Sequence, residues 1–427
     1  MTHTDYVQLR RVAHIYNGGT PTSNEANWNG EIPWATPIDL GENDGKTIEL
    51  THRSLTLKGV RTGSTMVPSG SILLSTRAPI GYTALTKVDM AFNQGCKGLV
   101  LKNPVNDSRY LQYALQHIDS ELNVSGQGAT FIELSSTKLA EARVPMHSPI
   151  TQRRIAGFLD RETAEIDAFI ADLQEFRSTL FERRSARRDA LIAGGRPVQE
   201  AGYTWLSEFE AIYTEGRMKN IFEITLGKML DAKSHRDNET HYPYLRAANI
   251  SEGTVDFGEL NQMPFNARER ERFSIKKGDM LVVEGGSVGE NTVIEQDLED
   301  IFFQKTINRA RPKYGNDSYY FSQVLEAYLD REVFDVVCNK STIMHLTAEK
   351  LGDLEVPIPR PDTQQAISRD LMNLDAEVRL AVSDVEMAIA LATERRSALI
   401  AAAVTGQLDV SDRYAAEQVY EEVESKQ

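Results

Sequence analysis

Two cysteines in 427 residues, Cys96 and Cys338, are too few for a disulfide framework, and neither has the neighbouring Cys or His partners of a zinc site. Both read as buried thiols. No apolar run approaches the roughly 20 residues that span a bilayer. The opening MTHTDYVQLRRV lacks the apolar core of a secretory signal, so the chain is expected in the cytoplasm, away from membranes. Basic residues are in deficit, with 47 Lys and Arg against 62 Asp and Glu and a net charge of −15. That excludes a protein that coats nucleic acid through bulk positive charge, though not one with a local basic surface. Catalytic signatures are missing too: no GxxxxGKS/T phosphate loop, GxSxG elbow, HExxH helix, paired CxxC or Asn-Pro-Pro-aromatic stretch. Gly285-Gly286-Ser287 and Gly126-Gln127-Gly128 follow no phosphate-binding fingerprint and read as turns. The eight histidines are scattered. The chain is expected to catalyse nothing by itself and to bind no metal or cofactor.

What the chain has instead is a repeat. The pentapeptide ERRSA stands at Glu182–Ala186 and again at Glu394–Ala398, an offset of 212 residues. At the same offset Leu139–Pro145 lies over Leu351–Pro357, and Thr151-Gln152 over Thr363-Gln364. Between these points Ile155, Leu159, Glu162, Ile166, Phe169, Leu173, Phe176 and Leu180 recur at spacings of four and three. Ile367, Leu371, Leu374, Val378, Ala381, Val385, Ala388 and Ala392 repeat the pattern. Each run predicts a long helix with a narrow seam of the coiled-coil type. Pro149 and Pro361 mark the starts, and Gly194-Gly195 and Gly406 the ends. The phenylalanines of the first seam against the alanines of the second suggest that the helices pack on each other, large against small. The competing reading is two unrelated helices in separate cores. The basic cluster Arg183-Arg184 and Arg187-Arg188 reads either as a phosphate or partner contact or as a solvated face suited to the negative end of a helix.

Weaker echoes precede each helix. Gly70–Gly81 matches Gly278–Gly289, a buried strand leading into a glycine-bearing loop; Ile32-Pro33-Trp34 matches Tyr242-Pro243-Tyr244, and Phe92-Asn93-Gln94 matches Phe302-Phe303-Gln304. The predicted fold is α+β: two similar mixed α/β globules, separated by two long antiparallel coiled-coil helices in a pseudo-twofold internal repeat. The expected divisions are a globule at 1–147, a helix at 148–195, a globule at 196–357, a helix at 358–408 and an acidic tail at 409–427.

Thr151–Asp160 with Glu165-Ile166-Asp167, their echo from Thr363, and the Gly70–Gly81 and Gly278–Gly289 segments resemble the specificity subunit of type I restriction-modification systems. The resemblance covers nearly the whole chain. The second helix departs from the family pattern at Asn373–Arg379. The resemblance implies two target recognition domains reading the halves of a split, asymmetric site in double-stranded DNA, with the helix pair as spacer. It implies two methyltransferase subunits bound to the chain and restriction (translocase and nuclease) subunits beyond them. S-adenosylmethionine, ATP and magnesium then belong to those partners. The alternative is a non-catalytic scaffold or antagonist that binds the methyltransferase without reading DNA, which the net charge of −15 would suit. A restriction enzyme with its own catalytic domain is disfavoured by the missing motifs.

Base edges are read by Arg, Lys, Asn, Gln, Ser and Thr side chains held on loops of a rigid scaffold. In the first globule the candidates are Ser75, Thr76 and Arg77 after the Ile72–Leu74 run, Asn93, Gln94 and Lys97, with Gln127 and Thr130. In the second they are Arg246, Asn249, Ser287, Gln304, Lys305, Lys340, Ser341 and Thr342. Each could equally be a turn or capping residue, but as a group they fall at matched places in both halves.

Overall fold

Both predicted helices form, as Pro149–Ile192 and Pro361–Val404, each of 44 residues. At 1.5 Å per residue each is about 66 Å long. Each begins on its proline, whose missing N–H costs nothing in the first turn. The second ends where Gly406, at φ +73°, turns the chain back, with Leu408 N–H donating to Ala402 O at 3.0 Å. The computed structural model describes residues 4–126, 133–193, 214–229, 240–251, 253–338 and 344–410. Gly194-Gly195 and the acidic tail from residue 411 lie outside these.

Two units emerge: Met1–Gln174 with Glu386–Gln427, and Glu175–Val385. Each therefore holds one globule, the first part of the helix that follows it, and the last part of the other long helix. In the first unit Ile155, Phe158 and Leu159 share a core with Ile400, Ala403 and Val404. In the second, Ile192 and Ala193 share one with Ile367 and Leu371. The start of one helix lies beside the end of the other in both units, so the helices run antiparallel.

The globules repeat a sheet pattern. The first unit has a five-stranded sheet in the order Ala13–Asn17, Cys96–Leu101, Ile72–Ser75, Thr83–Thr86, Lys46–Ile48. The second has Phe222–Leu226, Ile307–Pro312, Met280–Val283, Asn291–Val293. The strands Ile72–Ser75 and Met280–Val283 are buried along their whole length because each serves two cores. Ile72 and Leu74 face one core and Leu73 another. Met280 and Val282 likewise face one, Leu281 and Val283 another. Hence the run is continuously apolar instead of alternating. Both strands are entered through a glycine with positive φ, Gly70 at +80° and Gly278 at +85°, and both loops after them close at another, Gly81 at +107° and Gly289 at +89°. Gly81 N–H donates to Ser75 O and Gly289 N–H to Val283 O, each at 3.1 Å. A second sheet pairs Trp28–Ala35 in parallel with Met90–Phe92, as His241–Leu245 pairs with Phe302–Phe303. Cys96 and Cys338 are buried free thiols, and burial pushes the Cys96 thiol up.

The seam departs from expectation at its phenylalanines. Ile155, Leu159, Ile166, Ile367, Leu371, Val385 and Ala392 are buried, but Phe169 and Phe176 are about half exposed, at 51% and 47%. In the first unit Phe169 lines an open groove with Ile166, Ala388, Leu391 and Ala392. A methyl side chain is too short to cover a phenyl ring, so Ala388 and Ala392 leave the Phe169 ring partly in solvent.

The basic cluster is not one solvated face. Arg183 and Arg187 are exposed, whereas Arg184 and Arg188 are 15% and 1% exposed. Arg184 Nε donates to Asp375 Oδ1 at 2.7 Å, and its guanidinium also reaches Glu326 and Gln323. Arg188 pairs with Asp330 at 2.7 Å and Asp189 at 3.0 Å. In the first unit the same pentapeptide position, Arg396, pairs with Asp167 at 2.8 Å. Thus the second arginine of each ERRSA copy ties the end of one long helix to the early part of the other.

Candidate nucleic-acid interface

In the first unit three loop segments meet at the end of the Ile72–Ser75 strand. Thr76 N–H and Oγ1–H both donate to Gly95 O, at 2.8 and 3.2 Å, which joins the strand exit to the Asn93–Gly95 turn. Leu134 N–H donates to Thr76 O at 2.8 Å, which brings in the third segment. Arg77 bridges to Glu133, and their side chains pair at 3.4 Å. Asn93 Oδ1 accepts from Gly95 N–H at 2.9 Å and shapes the turn, while Gln94 Oε1 accepts from the Thr20 hydroxyl. Lys97 lies just inside, 8% exposed. Burial holds its ammonium below the usual lysine range, opposed by the Glu133 carboxylate.

The second unit repeats this geometry with different chemistry. Glu284 N–H donates to Thr306 O at 2.8 Å and Leu346 N–H donates to Glu284 O at 2.8 Å, so Glu284 stands where Thr76 does. Gly285 bridges to His345, as Arg77 does to Glu133. The side-chain contact at this place joins His345 Nδ1 to Glu284 Oε2, at 3.2 Å. Asn308 takes the place of Lys97: it pairs with Val282 as Lys97 pairs with Leu74. It is fully buried, and Nδ2 donates to Leu346 O at 2.7 Å.

The candidate residues divide by exposure. Arg77, Gln94, Arg246, Ser287 and Lys305 are exposed, and Asn93 is half-buried. Ser75 and Thr76 are buried, Ser75 Oγ donating to Pro79 O at 2.8 Å and accepting from Tyr82 N–H at 3.0 Å. Asn249 is buried as well; its Oδ1 accepts from Arg246 N–H and its Nδ2 donates to Asp256 O, both at 3.1 Å. Gln304 is buried, with Oε1 accepting from Thr306 Oγ1 at 2.8 Å. These four side chains hold loops in shape. Gln127, Thr130, Lys340, Ser341 and Thr342 lie outside the described residues. Arg77, Asn93, Gln94 and Lys97 are brought to one place, as are Ser287's loop, Gln304 and Lys305. Sequence reading missed Glu133 and His345, which face these loops from just beyond the matched candidates Thr130 and Thr342 and stand at the same offset of 212 residues. Among the described residues no group of His, Cys, Asp and Glu could hold a metal ion, and no helix is long and apolar enough to cross a membrane.

Comparison with known proteins agrees with the repeat. The family described as type I restriction modification DNA specificity domain matches residues 2–174 and again 213–381. A type I restriction enzyme specificity subunit of Methanocaldococcus jannaschii, MjaIX, is 35% identical over 159 residues, a stretch covering 36% of this chain and 37% of that protein. The EcoBI specificity subunit of Escherichia coli is 22% identical over 329 residues, covering 73% of this chain and 68% of that one. Among solved structures, a chain from work on complex assembly and conformational transition of the type I R-M system aligns over 96% of this chain and 99% of its own, with a TM-score of 0.67. At 15% identity that likeness is one of fold. Matched by the family's domain twice over, this chain belongs to the type I restriction-modification DNA specificity family.

Proposed function

We propose that this chain is the DNA-reading subunit of a type I restriction-modification assembly, recognising a split, asymmetric target through its two globules. The observation that carries this reading is the contrast at matched positions. The scaffold hydrogen bonds of Thr76 and Glu284 are the same, while the groups around them differ: Arg77, Glu133 and Lys97 in one unit, Gly285, His345 and Asn308 in the other. Two reading modules that share a scaffold but not a chemistry suit two different half-sites, where a symmetric dimer would be confined to a palindrome. Methylation and cleavage then fall to two methyltransferase subunits docked on the chain and to restriction subunits beyond them. S-adenosylmethionine, ATP and magnesium are their cofactors, and this chain catalyses nothing. Mapping methyladenine across a genome with the chain present and deleted tests this reading: one bipartite motif should lose methylation on deletion. Unchanged methylation would favour instead a scaffold that binds the methyltransferase without reading DNA.

The net charge of −15 sets a further expectation. Alone, the chain binds DNA weakly at physiological salt, and gains affinity when methyltransferase subunits add basic surface around the duplex. Tight, sequence-specific binding by the isolated chain in a salt titration would contradict it.

Base reading is expected to rest on the loop residues that are exposed or, like Asn93, half-buried. Replacing Asn93 and Gln94 by Ala should cost about 1–3 kcal/mol per lost bidentate contact and relax one half of the target only. Lys305→Ala, at the matched turn, should relax the other. Methylation rates on duplexes altered in each half separately check both, and a simultaneous loss at both halves in a folded, assembled variant would refute the assignment.

A further inference from the structure

Gln152 and Gln364, the second residue of each Thr-Gln pair, are fully buried in the first turn of their long helices. Each reaches into the globule that precedes its helix. Gln152 Oε1 accepts from Asp107 N–H at 2.9 Å, and its Nε2 donates to Asn106 Oδ1 at 3.3 Å and to His147 O at 2.8 Å. Gln364 Oε1 accepts from Asp317 N–H at 2.8 Å, and its Nε2 donates to Asn316 Oδ1 at 3.0 Å and to Pro359 O at 2.7 Å. The receiving side repeats as well: Asn106-Asp107-Ser108 with Tyr110, and Asn316-Asp317-Ser318 with Tyr320.

In both units the aspartate so held caps a globule helix, Ser108–His117 or Ser318–Asp330, by accepting from the N–H of the tyrosine three residues on, at 2.9 and 3.0 Å. Each tyrosine hydroxyl then donates to the carbonyl of Pro145 or Pro357, in the strand that leads into the long helix. One buried amide thus spans three parts of each unit: the start of the long helix, the segment before it, and the cap of a helix packed in the globule's core. Both its N–H donors and its carbonyl oxygen are engaged in this.

We propose that Gln152 and Gln364 are positioning residues for target recognition, each setting the pose of its own globule on its long helix and acting on one half-site alone. The proposal rests on the DNA-reading function above. The reading loops differ between the units while this joint is the same, as expected if the joint serves any loop chemistry by holding it at one angle. A glutamine is suited to the place because it presents an acceptor and two donors from a single planar group. Leaving the part-buried Asp107 or Asp317 N–H without its glutamine partner would penalise the aligned pose against tilted ones.

The test uses the full chain assembled with its methyltransferase subunits. The substrates are duplexes carrying the mapped target and duplexes with one base changed in either half. Gln152→Met and Gln364→Met keep roughly the side-chain volume and remove every hydrogen bond; Gln152→Ala and Gln364→Ala remove both. Gln152→Met is expected to accelerate amide exchange at Asp107 and not at Asp317. It should raise KM for methylation about tenfold, the equivalent of one or two net hydrogen bonds, with a smaller change in kcat. It should also erode discrimination at one half-site, and Gln364→Met at the other. Parental KM and discrimination despite accelerated exchange at Asp107 would overturn the proposal, as would loss at both half-sites from either Met variant. A parental assembly with no half-site preference would instead overturn the reading function on which the proposal rests.

Discussion

Inserting seven residues into each long helix, after Leu173 and after Val385, is expected either to lengthen the gap between unchanged half-sites by about three base pairs or to abolish methylation. Seven residues add one heptad, so the seam keeps its register inside each unit, Ile155 and Leu159 with Ile400 in the first and Ile192 with Ile367 and Leu371 in the second. Both insertion points fall within a residue of the passage from one unit to the other, at Gln174 and Val385. The insertions therefore spare the contacts inside each unit. The added rise is about 10.5 Å in each helix, or roughly three base pairs. Three base pairs also rotate the duplex by about 100°, since one turn takes 10–10.5 pairs. A heptad drifts by only about 20°. The variant must twist its DNA or lose activity. Mapping its methylation sites decides the matter: full activity on the parental gap would show that the helices do not set the distance.

The second large effect is expected at Arg184. Truncation to Ala removes the cation beside Asp375, 18% exposed, leaving the Tyr319 hydroxyl as its hydrogen-bond donor, and removes the charge that faces Glu326 and the hydrogen bond to Gln323. Breaking a buried ion pair from one side typically costs 3–5 kcal/mol, because the abandoned charge stays desolvated. With Glu326 36% exposed, the low end applies, about 3 kcal/mol. For a unit of this size that is a fall in the thermal midpoint of roughly 6–12 °C. Arg183→Ala, one residue away and exposed, should stay within about 0.5 kcal/mol. Scanning calorimetry of the two variants measures the contrast, and equal midpoints would show that the Arg184 cluster contributes nothing net.

The contrast between Arg183 and Arg184 shows where sequence reading stops. The 212-residue offset announced that ERRSA matters, and the heptad spacing placed it on a helix. Which arginine turns inward depends on partners far along the chain: Asp375 for Arg184 is 191 residues away, and Asp167 for Arg396 is 229. No local pattern carries that information. The joint at Gln152 was hidden for a second reason. Its receiving Asn-Asp-Ser repeats at 106–108 and 316–318, an offset of 210, and so slips past a comparison held at 212.

The reading loops divide in the same way. Gly70, Gly81, Gly278 and Gly289 were legible because a tight turn with positive φ leaves few alternatives to glycine. Ser75, Thr76, Asn249 and Gln304 were recognisable as hydrogen-bonding residues on loops, but only packing decided that their side chains are spent on neighbouring backbone and hydroxyl groups.

By itself, then, the sequence determined the duplicated plan, the two long helices and their seam, and the loops where the halves diverge. Each of these follows from short-range rules: a 3.5-residue period, a proline at a helix start, a glycine at a turn. Tertiary structure alone decided which charges are buried, how an open groove comes to lie beside Phe169, and which polar groups remain available to a ligand. Those outcomes depend on what another part of the chain brings to within about 3 Å, the reach of a hydrogen bond.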